Sequence, residues 1–176
     1  QQVLRSPPIQ TSEKIGFSSL SPQPQSGEIL NDKLTTAEYE LLMLVLHYED
    51  LAPAIAQAIE HQWLDTRSLE GRLLDRCLAA HREDVWPGFD HLDELLETEE
   101  ERQVLGNLHS RPFLAEEPVL AANQCIKAIF EAHFRRELSE LNARISNTAN
   151  IAQLHQRINE VRKLLRHPPQ LPPPTD

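Results

Sequence analysis

From Pro118 to Ser146 the chain runs 29 residues without an internal Gly or Pro, a helix of about 44 Å at 1.5 Å per residue. Its apolar face is broad at first, with Val119, Leu120, Cys125, Ile126, Ile129 and Phe130. It then narrows to Phe134, Leu138, Leu141 and Ile145, spaced 4, 3, 4. Asn147-Thr148-Ala149-Asn150 reads as a turn with an Asn cap. A second stripe follows at Ile151, Leu154, Ile158, Val161 and Leu165, spaced 3, 4, 3, 4. Two narrow stripes joined by a turn are the facing seams of an antiparallel helical hairpin. Folding back at 148 opposes Ile145 with Ile151, Leu141 with Leu154, Leu138 with Ile158 and Phe134 with Val161. The broad half of the long helix is then left for a bundle, and the narrow half projects from it.

The charge distribution marks the other boundaries. The net charge of −10 conceals a neutral segment at 1–34, a net of −13 over 35–117 and a net of +3 over 118–176. Nine of the 13 prolines lie before Lys33 or after Arg166. Ends this rich in proline and poor in apolar residues bury too little surface to offset the entropy of ordering. The expectation is a disordered linker at 1–34, an acidic helical bundle at 35–117, a long joining helix at 118–146, the second hairpin helix at 147–167 and a solvated, polyproline-like tail at 168–176. Without an initiator Met, the chain reads as a fragment or a processed product. No apolar run of membrane-spanning length and no signal-peptide pattern is present.

Within the bundle, Thr35-Thr36-Ala37-Glu38 has the form of a capping box ahead of Leu41, Leu42, Leu44, Val45 and Leu46. A helix apolar on most of its circumference belongs at the centre. Asp50 is expected to cap a second helix with Pro53 in its first turn. A third spans about Ser68 to His81, with Leu69, Leu73, Leu74 or Cys77, and Leu78 on one side. Trp86-Pro87-Gly88 breaks the chain, and short acidic helices follow near Phe89–Glu97 and Glu99–Ser110. No segment alternates at period two with β-branched enrichment, so the fold class is all-α: a small helical bundle, a long connecting helix and a C-terminal antiparallel helical hairpin.

Chemistry-bearing patterns are few. The eight histidines show no His-x-x-x-His pair with a carboxylate on the same face, so no metal site is expected. Cys77 and Cys125 make neither a zinc nor a disulfide pattern and read as free thiols in a reducing, cytoplasmic setting. Asp90, Asp93, Glu94 and Glu97 share helical faces and suit Mg²⁺ binding or acid–base pairing. The simpler reading turns Leu92, Leu95 and Leu96 inward and leaves the acids in water. No phosphate-binding Gly-rich loop and no nucleophile context occurs. The basic residues of the hairpin, Arg135, Arg136, Arg144, Arg157, Arg162, Lys163 and Arg166, lie off the seams. They lack the interleaved aromatics of a nucleic-acid face, which leaves solubility with pairs such as Arg136–Glu140, or a positive edge for an acidic protein partner.

Arranged this way, residues 37–166 resemble the C-terminal helicase-binding domain of bacterial replicative DNA primases (DnaG type). Leu41 through Leu51 is similar to the family's Leu-rich opening helix and the turn after it, although Tyr48 and Glu49 stand where His and Pro are usual. Phe134-Arg135-Arg136-Glu137-Leu138 through Arg144-Ile145 resembles the Arg-rich stretch of the connecting helix. The resemblance implies a non-catalytic arm that docks on the hexameric replicative helicase (DnaB type) and couples RNA primer synthesis to the fork. The polymerase chemistry, with its zinc and magnesium, would belong to other domains of the intact primase. Cofactors, membrane contact and direct nucleic-acid binding are not expected of this part, and weak self-association through the hairpin is left open as an alternative. The implied docking candidates are Leu154, Arg157, Ile158, Val161, Arg162 and Leu165, some of which must instead close the hairpin. The same plan resembles the N-terminal domain of the replicative helicase, and a small metal-dependent helical enzyme built on the 90–97 carboxylates is the alternative of a different class. A linker such as 1–34 suits a tethered module, because tethering acts through effective concentration.

Overall fold

The computed structural model describes residues 26–145 and 151–173. The linker expectation over 1–25, the turn at 147–150 with its Asn cap, and the last three tail residues lie outside the described part. Among the described residues the chain is all-helical. Six α-helices run Ser26–His47 (α1), Ala52–Ala58 (α2), Leu69–Arg82 (α3), Glu99–His109 (α4), Pro118–Ile145 (α5) and Ile151–Leu164 (α6). Short 3₁₀ segments at His61–Trp63 and Phe89–Leu95 interrupt the connections.

α1 is the central element. Leu41 through Leu46 are all buried, as an all-round apolar helix requires, and α3 and α5 pack on it. It starts at Ser26, inside the expected linker and nine residues before Thr35, so the Thr35–Glu38 capping box marks no helix end. Glu38 is fully buried and turned outward from its own helix end to the chain ahead of α3. Its Oε1 accepts the Asp65 N–H at 2.6 Å and its Oε2 the Ser68 hydroxyl at 3.3 Å. Helix continuation wins over capping because those two donors satisfy the carboxylate in the interior.

Asp50 does not cap α2. Leu51 holds the cap position without a side-chain bond, and Pro53 sits in the first turn. The backbone itself closes this bend, through Leu51 N–H to the Tyr48 carbonyl and Ala52 N–H to the Glu49 carbonyl. α3 begins as its sequence predicts, with Ser68 Oγ accepting the Gly71 N–H at 2.9 Å. A Cβ on Gly71 would sit 2.3 Å from the Asp65 carbonyl oxygen, so the close approach of that loop admits only glycine.

Gly88, at φ 84°, provides the break after Trp86-Pro87. The expected helix over Phe89–Glu97 is instead a 3₁₀ segment, kinked at His91 and ended at Leu95. Its buried anchors are Leu92 and, just beyond it, Leu96, too few for a continuous helical face. α4 carries a complete capping box between Thr98 and Glu101. Glu101 is buried, and Arg76 of α3 bridges it at 2.9 Å and Glu97 at 2.8 Å.

α5 and α6 form the antiparallel hairpin. Its seam residues Phe134, Leu141, Ile158 and Val161 belong to one continuous core with α1, α2 and α3. Trp63 joins the two parts, meeting Phe130 edge-on at 5.1 Å and Phe134 at 6.3 Å. The hairpin therefore shares the core of the bundle rather than standing clear of it. The tail departs from the solvated expectation as well. Beyond α6 it turns back along α5, where the Leu171 N–H donates to Asn123 Oδ1 at 2.7 Å and the Leu171 side chain is buried. Proline has little backbone freedom to lose, so one apolar anchor and one hydrogen bond suffice to order residues 168–171.

Candidate docking surface on the C-terminal hairpin

The pairing of α5 with α6 has a polar cross-link. Arg157 Nε lies 2.7 Å from Glu137 Oε1 across the hairpin. Its other arm reaches Glu160 on α6 at 3.5 Å. The Glu137 hydrogen bond raises the Arg157 guanidinium above its ordinary pKa.

The six docking candidates separate into three groups. Ile158 and Val161 are buried, at 2% and 0% exposure. They close the hairpin and are removed from the docking surface, because a contact needs side chains that a partner can reach. Leu154 and Leu165 are half-buried at the edge of the seam. Arg157 and Arg162 reach solvent, but five residues of helix set them about 140° apart, on opposite flanks of α6.

The Arg157 flank looks back onto the body of the protein. It lines a cleft of about 540 Å³ with Trp63, His133, Arg136, Glu137 and Leu164. Burial holds the His133 imidazole below its ordinary pKa; Glu137 opposes that shift and Arg136 adds to it. Arg157 is thereby an intramolecular strut. The expected Arg136–Glu140 pair is replaced on α5 by Arg135–Glu131 at 2.7 Å, with Lys127 on the same carboxylate at 3.9 Å.

The Arg162 flank is open. Arg162, Arg166 and His155 are exposed, and neither arginine forms an ion pair among the described residues. Arg162 lies in the last turn of α6, where the helix dipole favours a cation, and Arg166 follows in the turn just beyond the helix. Leu154 and Leu165 border it with half-buried apolar surface. The docking candidates left out Arg166, which the sequence places among the off-seam basic residues four positions after Arg162, and His155, which no motif marked.

Elsewhere the described residues hold no group of three or more His, Cys, Asp and Glu side chains arranged for a metal ion. The 90–97 carboxylates do not share one helical face, because the backbone kinks at His91, and Glu97 is committed to Arg76. Both cysteines are free and buried. Burial pushes each thiol up to about 12, with the Glu40 carboxylate adding to the effect at Cys125, so neither is a thiolate nucleophile at neutral pH. No described helix is long and apolar enough to cross a membrane. No protein-family model, curated protein or solved structure matches the chain.

Proposed function

We propose that this chain is the helicase-docking domain of a bacterial, cytoplasmic DNA primase, a non-catalytic arm that binds the hexameric replicative helicase and keeps primer synthesis at the fork. The observation that carries the reading is the open flank of α6. There Arg162, with Arg166 in the turn just beyond the helix, forms no ion pair among the described residues and stands beside the half-buried Leu154 and Leu165, on a hairpin held by its shared core. Exposed cations around a modest apolar strip suit a docking contact that is steered by charge and anchored by a few side chains. A rigid support matters because only a preformed surface avoids the entropic cost of ordering on contact.

Gel filtration of the full chain with a hexameric DnaB-type helicase tests this reading. The wild-type chain co-elutes; Arg162→Glu with Arg166→Glu abolishes co-elution, while Arg102→Ala on α4 leaves it intact. Co-elution unaffected by the α6 charge reversals would move the contact off this flank. A chain that never co-elutes would leave the resemblance to primases as one of architecture only.

A further inference from the structure

On the bundle, the turn from α1 to α2 and the start of α5 line an open groove of about 840 Å³. Leu46, Tyr48, Phe89 and Val119 form its apolar walls, and Glu49 and Asp50 its rim. The Tyr48 hydroxyl accepts the Ala115 N–H at 2.8 Å and donates to the Ala115 carbonyl at 3.3 Å. That pair of hydrogen bonds pins the loop before α5 in place. Phe113 on the same loop packs edge-on against Tyr48 at 6.4 Å and beside His47 at 5.6 Å. The walls are thus held by fixed contacts and do not depend on an occupant.

The charge around the groove is one-sided. Asp90 adjoins Phe89 in sequence, and Glu116 and Glu117 lead directly into Pro118. These three and the rim pair are exposed carboxylates, and none forms an ion pair among the described residues. No Lys or Arg lines the groove. Leu120, next to Val119 in the chain, is 50% exposed, and Leu114 on the loop is 89% exposed.

We propose that this groove docks a cationic, leucine-bearing segment of a partner protein. An arginine or lysine there lays its stem on the faces of Tyr48 and Phe89, where a cation gains from the ring quadrupole, and brings its charge among Glu49 and Asp50. The neighbouring aliphatic side chain fills the space against Leu46 and Val119. The excess of acid over base across the bundle steers such a segment in and turns an acidic one away. A purely apolar occupant leaves the rim carboxylates stripped of water and unpaired, and a single small cation leaves most of the groove unfilled. This surface lies on the bundle, so the inference stands apart from helicase docking through α6.

Amide chemical shifts of the full isotope-labelled chain test it with three peptides: acetyl-Leu-Arg-Leu-Leu-Arg-amide, its Leu-to-Ser version and its Arg-to-Glu version. The first is expected to shift the Tyr48, Phe89 and Val119 amides and to bind at millimolar or lower concentration. The serine version binds more weakly and the glutamate version not at all. Glu49→Gln with Asp50→Asn weakens the first peptide about three- to tenfold, while shifts away from the groove stay unchanged and report an intact fold. Binding of the glutamate peptide as tight as that of the arginine peptide overturns the proposal. So does a double variant of unaltered affinity, a set of shifts lying off the groove, or no response to the first peptide at millimolar concentration.

Discussion

Burial raises the Glu38 carboxyl from 4.5 to about 7, against the two hydrogen bonds from Asp65 and Ser68, which lower it. A carboxyl whose folded-state pKa lies above its unfolded value takes up a proton on folding. The stability it contributes is complete below about 4.5 and is lost as pH rises through 7. Glu38→Gln keeps an acceptor for the Asp65 amide and removes the titration. The stability of the wild type relative to this variant should therefore fall between pH 5 and pH 8 by about 2–3 kcal/mol. Denaturant unfolding at the two pH values measures that difference; a constant gap would mean Glu38 titrates as it does in the unfolded chain. Nothing in Thr35-Thr36-Ala37-Glu38 distinguishes a capping glutamate from a buried one. The distinction lies 27 residues away, at the Asp65 amide.

The hairpin was legible as an element, because a 4, 3, 4 stripe before a turn and a 3, 4, 3, 4 stripe after it pair as antiparallel helices. Its internal division of labour was not. An apolar residue on such a stripe looks the same whether it faces the opposing helix or a partner, and only the packing assigns Ile158 and Val161 inward. Ile158→Ala should accordingly cost about 2–4 kcal/mol through the cavity it leaves. Leu154→Ala, at the half-buried edge, should cost about 1 kcal/mol. Thermal melts of the two variants check the ordering, and equal losses would show that the seam extends evenly to Leu154. The two arginines were likewise indistinguishable as a pair of off-stripe cations. Glu137 on the other helix makes one of them a strut.

Across the whole molecule the tail has a structural part that composition argued against. Leu171 is the only apolar residue other than proline after His167, and it reaches the continuous core. Leu171→Asp places a charge in that site, and truncation after His167 removes the strap. Either change should speed amide exchange in α6 more than in α1 and lower stability by about 2 kcal/mol. Unaltered exchange in α6 would show that the seam alone holds the hairpin to the bundle.

The helices apart from the 3₁₀ segment at Phe89–Leu95, the absence of strands among the described residues and the pairing of α5 with α6 follow from the sequence alone, since they depend on spacing between residues a few positions apart. Periodicity of that range is written directly along the chain. The start of α1, the burial of Glu38, the docking of Leu171 and the separation of Arg157 from Arg162 were decided by tertiary structure. Each depends on a partner 20 to 48 residues distant, or on which flank of a helix meets the core. Local spacing carries no record of such a partner. It arises only when burial removes the water that would otherwise satisfy the same groups equally well.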